Sequence, residues 1–107
     1  MRQSNRDLWR YYDVANAKYF KNKLPKDIPI RFAKLQPHVL GKTYVCNHGI
    51  AQGIEISEQL RSSSAHTIMT MLHECVHVAH PKWKGHGRHF DAAMLRLAKQ
   101  GAFDGVW

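Results

Sequence analysis

Residues 70–80, TMLHECVHVAH, limit the folds open to this chain more than any other segment. Three histidines and one glutamate lie among apolar residues at a spacing typical of a helix. Such a helix must bury one face in a core and keep its histidine face free for a ligand or solvent. The serines at positions 62–64 can cap its start, and Pro81 ends it. We predict that the apolar stripe of this helix consists of Ala65, Met69, Leu72 and Val76.

The remaining segments predict a small α+β fold in one domain spanning residues 1–107. Ser4 and Asp7 are spaced as a capping box, and Leu8, Tyr12, Ala15 and Tyr19 follow at helical spacing. Alternating or short apolar runs predict three strands within residues 28–35, 41–46 and 49–57. A last helix is predicted for residues 88–100. The expected order is an N-terminal helix, a small three-stranded sheet, the histidine helix and a C-terminal helix.

The histidine helix carries a metal-binding pattern. His73 and His77 are four residues apart and therefore lie on one face of a helix, where their imidazoles can reach one ion. Glu74 lies about 100° further around the helix axis, beside the metal rather than on it. This is the HExxH arrangement of zinc metallopeptidases, in which the glutamate is the general base. The pattern predicts one Zn²⁺ per chain.

Two imidazoles make a weak site, so a third ligand is needed. His66 and His80 are each seven residues from His73, which is about 10.5 Å along a helix and too far for ligands of one ion. His86 follows the break at Pro81 and has a glycine on each side, which lets the chain turn back towards the helix. We therefore predict His86 as the third ligand, with His89 as the alternative.

The segments TMLHECVHVAH and GHGRHF, together with YYDVANAKYFKNKLPKDIPIRF and GIAQGIEISEQL upstream, resemble the SprT-like family. That family includes the DNA–protein crosslink protease Spartan. The resemblance covers roughly residues 8–98. It implies a zincin-like metallopeptidase domain that hydrolyses DNA-associated proteins. By position, it implies His73, His77 and His86 as zinc ligands and Glu74 as the catalytic acid and base.

The chain departs from the family in two respects. Arg88 and His89 stand where the family usually has Pro-Glu, and no four-cysteine zinc ribbon follows the catalytic core in this sequence. The compact form suits a small prokaryotic or phage-encoded member. The alternative function is a non-proteolytic, zinc-containing module whose basic face binds nucleic acid or a host or partner protein.

The charge balance points to a polyanionic partner. The formal net charge is +8, and residues 1–34 hold nine basic and three acidic side chains. We expect weak, sequence-independent DNA binding, because no base-reading motif accompanies the excess of positive charge. The predicted contacts near the histidine helix are Lys82, Trp83, Lys84 and Arg88. Trp83 could stack on bases or anchor its loop.

A protein substrate requires two further features. We predict that an extended peptide pairs with the strand at residues 53–57 and presents its carbonyl to the metal. Tyr44, Arg88 and His89 are the candidates for stabilising the oxyanion.

Cellular location follows from what the sequence contains. The two cysteines form no CxxC pair, the first residues have no secretory apolar region, and the apolar runs are too short for a bilayer. We expect a cytoplasmic monomer without membrane contact, associated with the nucleoid or, if phage-encoded, located in the host cytoplasm.

Overall fold

A computed structural model describes residues 2–83 and 85–107, and its elements follow the predicted order. The helices are α1 (Asn5–Tyr19), α2 (Ser64–Ala79) and α3 (Arg88–Lys99), and the strands are β1 (Ile30–Ala33), β2 (Gly41–Val45) and β3 (Ala51–Ser57). A short 3₁₀ helix, Glu58–Leu60, precedes α2 and was not predicted. The α+β class is therefore confirmed, with three helices and a small mixed sheet.

The first helix begins where the capping pattern predicted. The backbone N–H of Ser4 donates to the Asp7 carboxylate at 2.8 Å, which stabilises the first turn. Leu8, Tyr12 and Ala15 are fully buried. Asn16 is also buried, and its amide bonds both the N–H and the carbonyl of Leu24 at 3.0 and 3.2 Å. The helix is thereby tied to the loop that leads into β1.

The sheet has the order β1-β3-β2, so β3 is its central strand. It pairs with β1 in parallel and with β2 in antiparallel orientation. The interpretation that residues 53–57 pair with a substrate is therefore wrong, because β1 and β2 already occupy both edges of β3. Sequence periodicity marks a strand but does not reveal its neighbours.

The histidine helix packs against α1, β2 and β3. Leu72 and Val76 are buried as predicted, but Met69 is 43% exposed and Ala65 is exposed too. The predicted stripe is therefore wrong in its first half. The buried face instead includes Ile68, Met71 and Cys75, since the helix is covered on two sides.

Burial on the opposite side of α2 from the histidines gives Cys75 a packing role. Its thiol is fully buried, and burial raises its pKa above the ordinary value.

Within residues 2–83 and 85–107, none of the helices has the length and apolar character needed to cross a bilayer.

Candidate metal centre

The three histidines of the predicted metal site lie together. His73 and His77 project from adjacent turns of α2, and the Nε2 atom of His86 lies 3.1 Å from that of His73 and 3.2 Å from that of His77. Within the described residues, they form the one group of three or more possible metal ligands whose ligand atoms all lie within 4.8 Å of one another. His89, the alternative ligand, does not belong to this group.

The distances and the chemistry of this group fit a metal ion. Imidazole nitrogens about 2 Å from a tetrahedral zinc ion would lie roughly 3.3 Å from one another. Burial and the neighbouring histidines His77 and His86 lower the pKa of His73 to about 4. The pKa of His77 is also lowered, mainly by burial. Neutral imidazoles keep the lone pairs that metal binding needs, so these residues could hold a metal at neutral pH.

The return loop that carries His86 begins at the end of α2. The N–H of Trp83 donates to the carbonyl of His80 at 3.1 Å and closes a turn across Pro81. Gly85 has a φ of +68°, which explains the glycine there. Gly87 has a φ of −80° and free space where a Cβ would lie. The predicted need for a glycine on both sides of His86 therefore holds for Gly85 only.

An aromatic ring closes the site from α3. The ring of Phe90 lies 4.8 Å from the His73 ring and 4.7 Å from each of the rings of His77 and His86, measured between centroids. Phe90 is buried and provides apolar packing for all three imidazoles. The sequence predicted Phe90 as an apolar residue of α3 and not as a contact of the histidines. The available signal was its position on the apolar side of α3, four residues after His86.

The carboxylate of Glu74 lies beside the histidines and against β2. Its Oε1 accepts a hydrogen bond from the Thr43 hydroxyl at 2.8 Å, and its Oε2 lies 3.9 Å from Nε2 of His73. A Cβ on Gly41 would come within 2.9 Å of Oε2, so the carboxylate occupies the space that a side chain there would take. Burial raises the Glu74 pKa to about 7, although the Thr43 hydrogen bond acts in the opposite direction.

A cavity of about 220 Å³ opens beside these groups, between β2 and α2. Its lining includes Thr43, Glu74, the three histidines and Trp83. The cavity can therefore admit a ligand that contacts a metal and the Glu74 carboxylate at the same time.

The structure does not bring every predicted site residue to this cavity. The Tyr44 hydroxyl donates to Glu55 on the face of the sheet opposite to Thr43, where Arg31 also binds Glu55 at 2.6 Å. Arg88 and His89 are exposed in the first turn of α3. The only close aromatic neighbour of His89 among the described residues is Trp83, at 5.6 Å between ring centroids.

The predicted nucleic-acid contacts flank the return loop. Lys82 is exposed and lies beside the β2–β3 turn, where a Cβ on Gly49 would be 3.3 Å from its Cγ. Trp83 is partly buried against the core. Lys84 lies outside the described residues.

A comparison with protein families supports the interpretation of the three histidines as a metal site. The family model described as SprT-like family matches residues 8–105, nearly the whole chain. The chain belongs to the SprT-like family. A comparison with curated proteins finds no match. The family relationship suggests a metallopeptidase-like domain for this SprT-like chain, and its three clustered histidines could bind the metal.

The contact between Gly41 and Glu74 predicts that substituting Gly41 lowers the stability of the protein more than substituting Gly87 does. Gly41→Ala should destabilise the protein by about 1–3 kcal/mol, because the new Cβ displaces Glu74 and meets Thr70 Cγ2, 2.8 Å away. Gly87→Ala is the matched control, since its Cβ meets nothing within 4 Å. It should change stability by less than about 1 kcal/mol. Urea unfolding of metal-free protein measures both, and equal losses would contradict the proposed fit of Glu74 against Gly41.

The raised Glu74 pKa predicts a pH-dependent effect of Glu74→Gln on metal-free protein. The unfolded carboxyl ionises near 4.5 and the folded one near 7, so the wild type loses stability as pH rises through this window. Glutamine does not ionise. The free energy of unfolding of the variant should therefore be higher than that of the wild type by about 1–3 kcal/mol at pH 8 and by much less at pH 4.5. Urea unfolding in the presence of a chelator measures the difference, and a constant difference across the window would disprove the burial argument.

Proposed function

We propose that this chain is a zinc-dependent metallopeptidase with a zincin-like fold, one zinc ion per chain and a protein substrate. The observation that carries the proposal is the position of Glu74. Its carboxylate is buried beside the three clustered histidines but does not belong to the group of possible metal ligands. A purely structural zinc site needs no such carboxylate. Membership of the SprT-like family supports the same activity.

His73, His77 and His86 would hold the zinc ion, which leaves a position for substrate in a site with three protein ligands. When bound, zinc would supply Lewis acidity to water and to the peptide carbonyl. Apolar packing by Phe90 keeps the imidazoles oriented for this task.

Glu74 would move the proton. Its Oε1 is bonded to Thr43, so Oε2, which faces His73, is the oxygen free to accept a proton from the attacking water. Glu74 would then deliver this proton to the nitrogen of the leaving amine. A pKa of about 7 in the metal-free site suits a group that both takes and returns a proton near neutral pH.

The substrate would bind along β2. In the described part of the sheet, this strand has β3 on one side only, and its residues Gly41 and Thr43 border the cavity. We propose that an extended peptide pairs with the free edge of β2 and thereby presents a carbonyl to the metal. Of the three predicted oxyanion contacts, the Tyr44 hydroxyl is engaged by Glu55, and Arg88 and His89 stay proposals that do not line the cavity in this structure.

The proposed activity predicts that Glu74→Gln and His86→Ala differ in their effects on zinc affinity and on peptide hydrolysis. Glu74→Gln should retain zinc but lose hydrolysis of an unstructured protein by about 10²–10⁴-fold, because general acid–base catalysis is removed. His86→Ala should lose zinc affinity as well. Metal analysis and a protease assay, each with and without DNA, measure these effects.

The outcomes separate the two candidate functions. Equal turnover by wild type and Glu74→Gln would contradict the role of Glu74. Zinc binding without hydrolysis under any DNA condition would favour the non-proteolytic module, which binds nucleic acid or a partner protein. Unchanged zinc affinity in His86→Ala would remove His86 from the site and promote His89.

We further propose that the enzyme acts in the cytoplasm, as a monomer, on proteins associated with DNA. Residues 1–34 carry a net charge of +6, and Lys82 and Arg88 are exposed beside the return loop. Both cysteines are free thiols, which suits a reducing compartment.

DNA binding should be weak, independent of sequence and steeply reduced by salt, because released counterions supply most of its free energy. Charge reversal at Lys82 and Arg88 should lower both the affinity and the salt dependence. Lys99→Glu, at the far end of α3, is the control and should have a smaller effect. Fluorescence anisotropy with single- and double-stranded DNA measures the affinity at each salt concentration. An affinity that does not change with salt concentration would contradict the proposal.

A further inference from the structure

Three aromatic rings, His80, Trp83 and His89, lie together beside the loop that carries His86. The rings of His80 and Trp83 are nearly parallel, at 8°, with their centroids 3.8 Å apart. The His89 ring lies 5.6 Å from that of Trp83 at an angle of 26°. We refer to these residues as the Trp83 stack. None of the three belongs to the group of clustered histidines that could bind the metal, and none takes part in the proposed proton transfer.

The Trp83 stack joins the two ends of the return loop, residues 81–87. His80 caps the C-terminal end of α2, three residues after His77, and His89 lies in the first turn of α3, three residues after His86. Trp83 lies between them in sequence, packs partly against the core and borders the cavity. The stack therefore connects the helix that presents two of the histidines to the helix that follows the third.

Among the residues that the structure describes, few other contacts restrain the loop near His86. A Cβ on Gly85 or Gly87 would meet no atom within 4 Å, and His86 itself is exposed. Its ring contacts the other two histidines and Phe90. A glycine-containing loop of this kind loses considerable conformational entropy when it is ordered. Contacts that order this loop therefore raise the fraction of molecules in which His86 occupies the position seen here.

We propose that Trp83 is a positioning residue that holds the return loop so that His86 meets His73 and His77 before a metal ion binds. This inference rests on the proposed metal site. Apparent affinity falls in proportion to the fraction of molecules in the competent conformation. Loss of an outer partner of a metal ligand commonly lowers affinity by about 10–100-fold, and removal of the Trp83 ring should have an effect of this size.

The test is a Co²⁺ titration of the metal-free chain, followed by visible absorption, together with Zn²⁺ affinity measured by competition with a chromophoric chelator. Trp83→Leu should weaken both metals by about 10–100-fold. Its Co²⁺ spectrum should move towards that of His86→Ala, because the third imidazole is lost from part of the population. Trp83→Phe should restore most of the affinity, since it keeps an aromatic ring in the stack.

Two control variants separate this effect from general destabilisation. Trp107 is also partly exposed and also contacts an aromatic ring, that of Tyr11, at 6.2 Å. Trp107→Leu should leave metal affinity unchanged. His80→Phe keeps a ring beside Trp83 but removes the imidazole, so it should retain affinity if stacking is what matters. Far-ultraviolet circular dichroism establishes that each variant is folded.

Each outcome has one reading. Wild-type affinity in Trp83→Leu would overturn the positioning role while leaving the proposed metal site intact. Absence of Co²⁺ and Zn²⁺ binding by the wild type would instead overturn the proposed function. If Trp83→Leu does not fold, His80→Ala takes its place, because it removes the ring stacked on Trp83, and an unchanged Co²⁺ spectrum in that variant would overturn the inference. Loss of affinity in His80→Phe would also overturn it, because the imidazole itself would then be required.

Discussion

Burial of the Glu74 carboxylate against β2 is the constraint on which the site depends. A carboxyl group in such a place is expensive to ionise, and it remains there because the Thr43 hydroxyl bonds one oxygen while Gly41 leaves room for the other. The same packing orients α2 about its axis. With Glu74 turned towards the strand, His73 and His77 must face the cavity, and Cys75 must face the core.

The strand β2 thus has two tasks in this fold. Its inner face holds the Glu74 carboxylate through alternate residues, Gly41 and Thr43, and its free edge is available to an extended peptide in the proposed mechanism. A peptide paired with that edge would be aligned by the same strand that positions the carboxylate. Strand and helix together would therefore fix the distance between the substrate carbonyl and the group that handles the proton.

The third histidine is held in a different way. His73 and His77 are fixed by one helix, whereas His86 depends on a return loop, on the ring of Phe90 and on the contacts of Trp83. The pKa of His73 is lowered mainly by burial, in part because the closed arrangement removes water from its ring. The readiness of the site for a metal is consequently a property of the loop as much as of the helix.

Much of this protein could be predicted from local patterns. The spacing of His73, Glu74 and His77, the cap at Ser4, the break at Pro81 and the alternation of Ile30 and Phe32 are all short-range features, and each corresponds to the observed element. The strand predicted to begin at Ile28 begins at Ile30 in the structure. The approach of His86 to His73 and His77 was also predicted, because the glycines beside it allow the chain to turn back towards the helix after Pro81.

Other features depended on which elements meet, and that is decided by long-range packing. Because the strand order is β1-β3-β2, the free edge beside the cavity belongs to β2 and not to residues 53–57. The Tyr44 hydroxyl donates to Glu55 on the other face of the sheet and therefore does not face the cavity. Contact of α2 with both α1 and the sheet left Met69 exposed, and the approach of α3 brought Phe90 to the histidines. Periodicity along one element shows which residues share a face, but only the tertiary structure determines what that face touches.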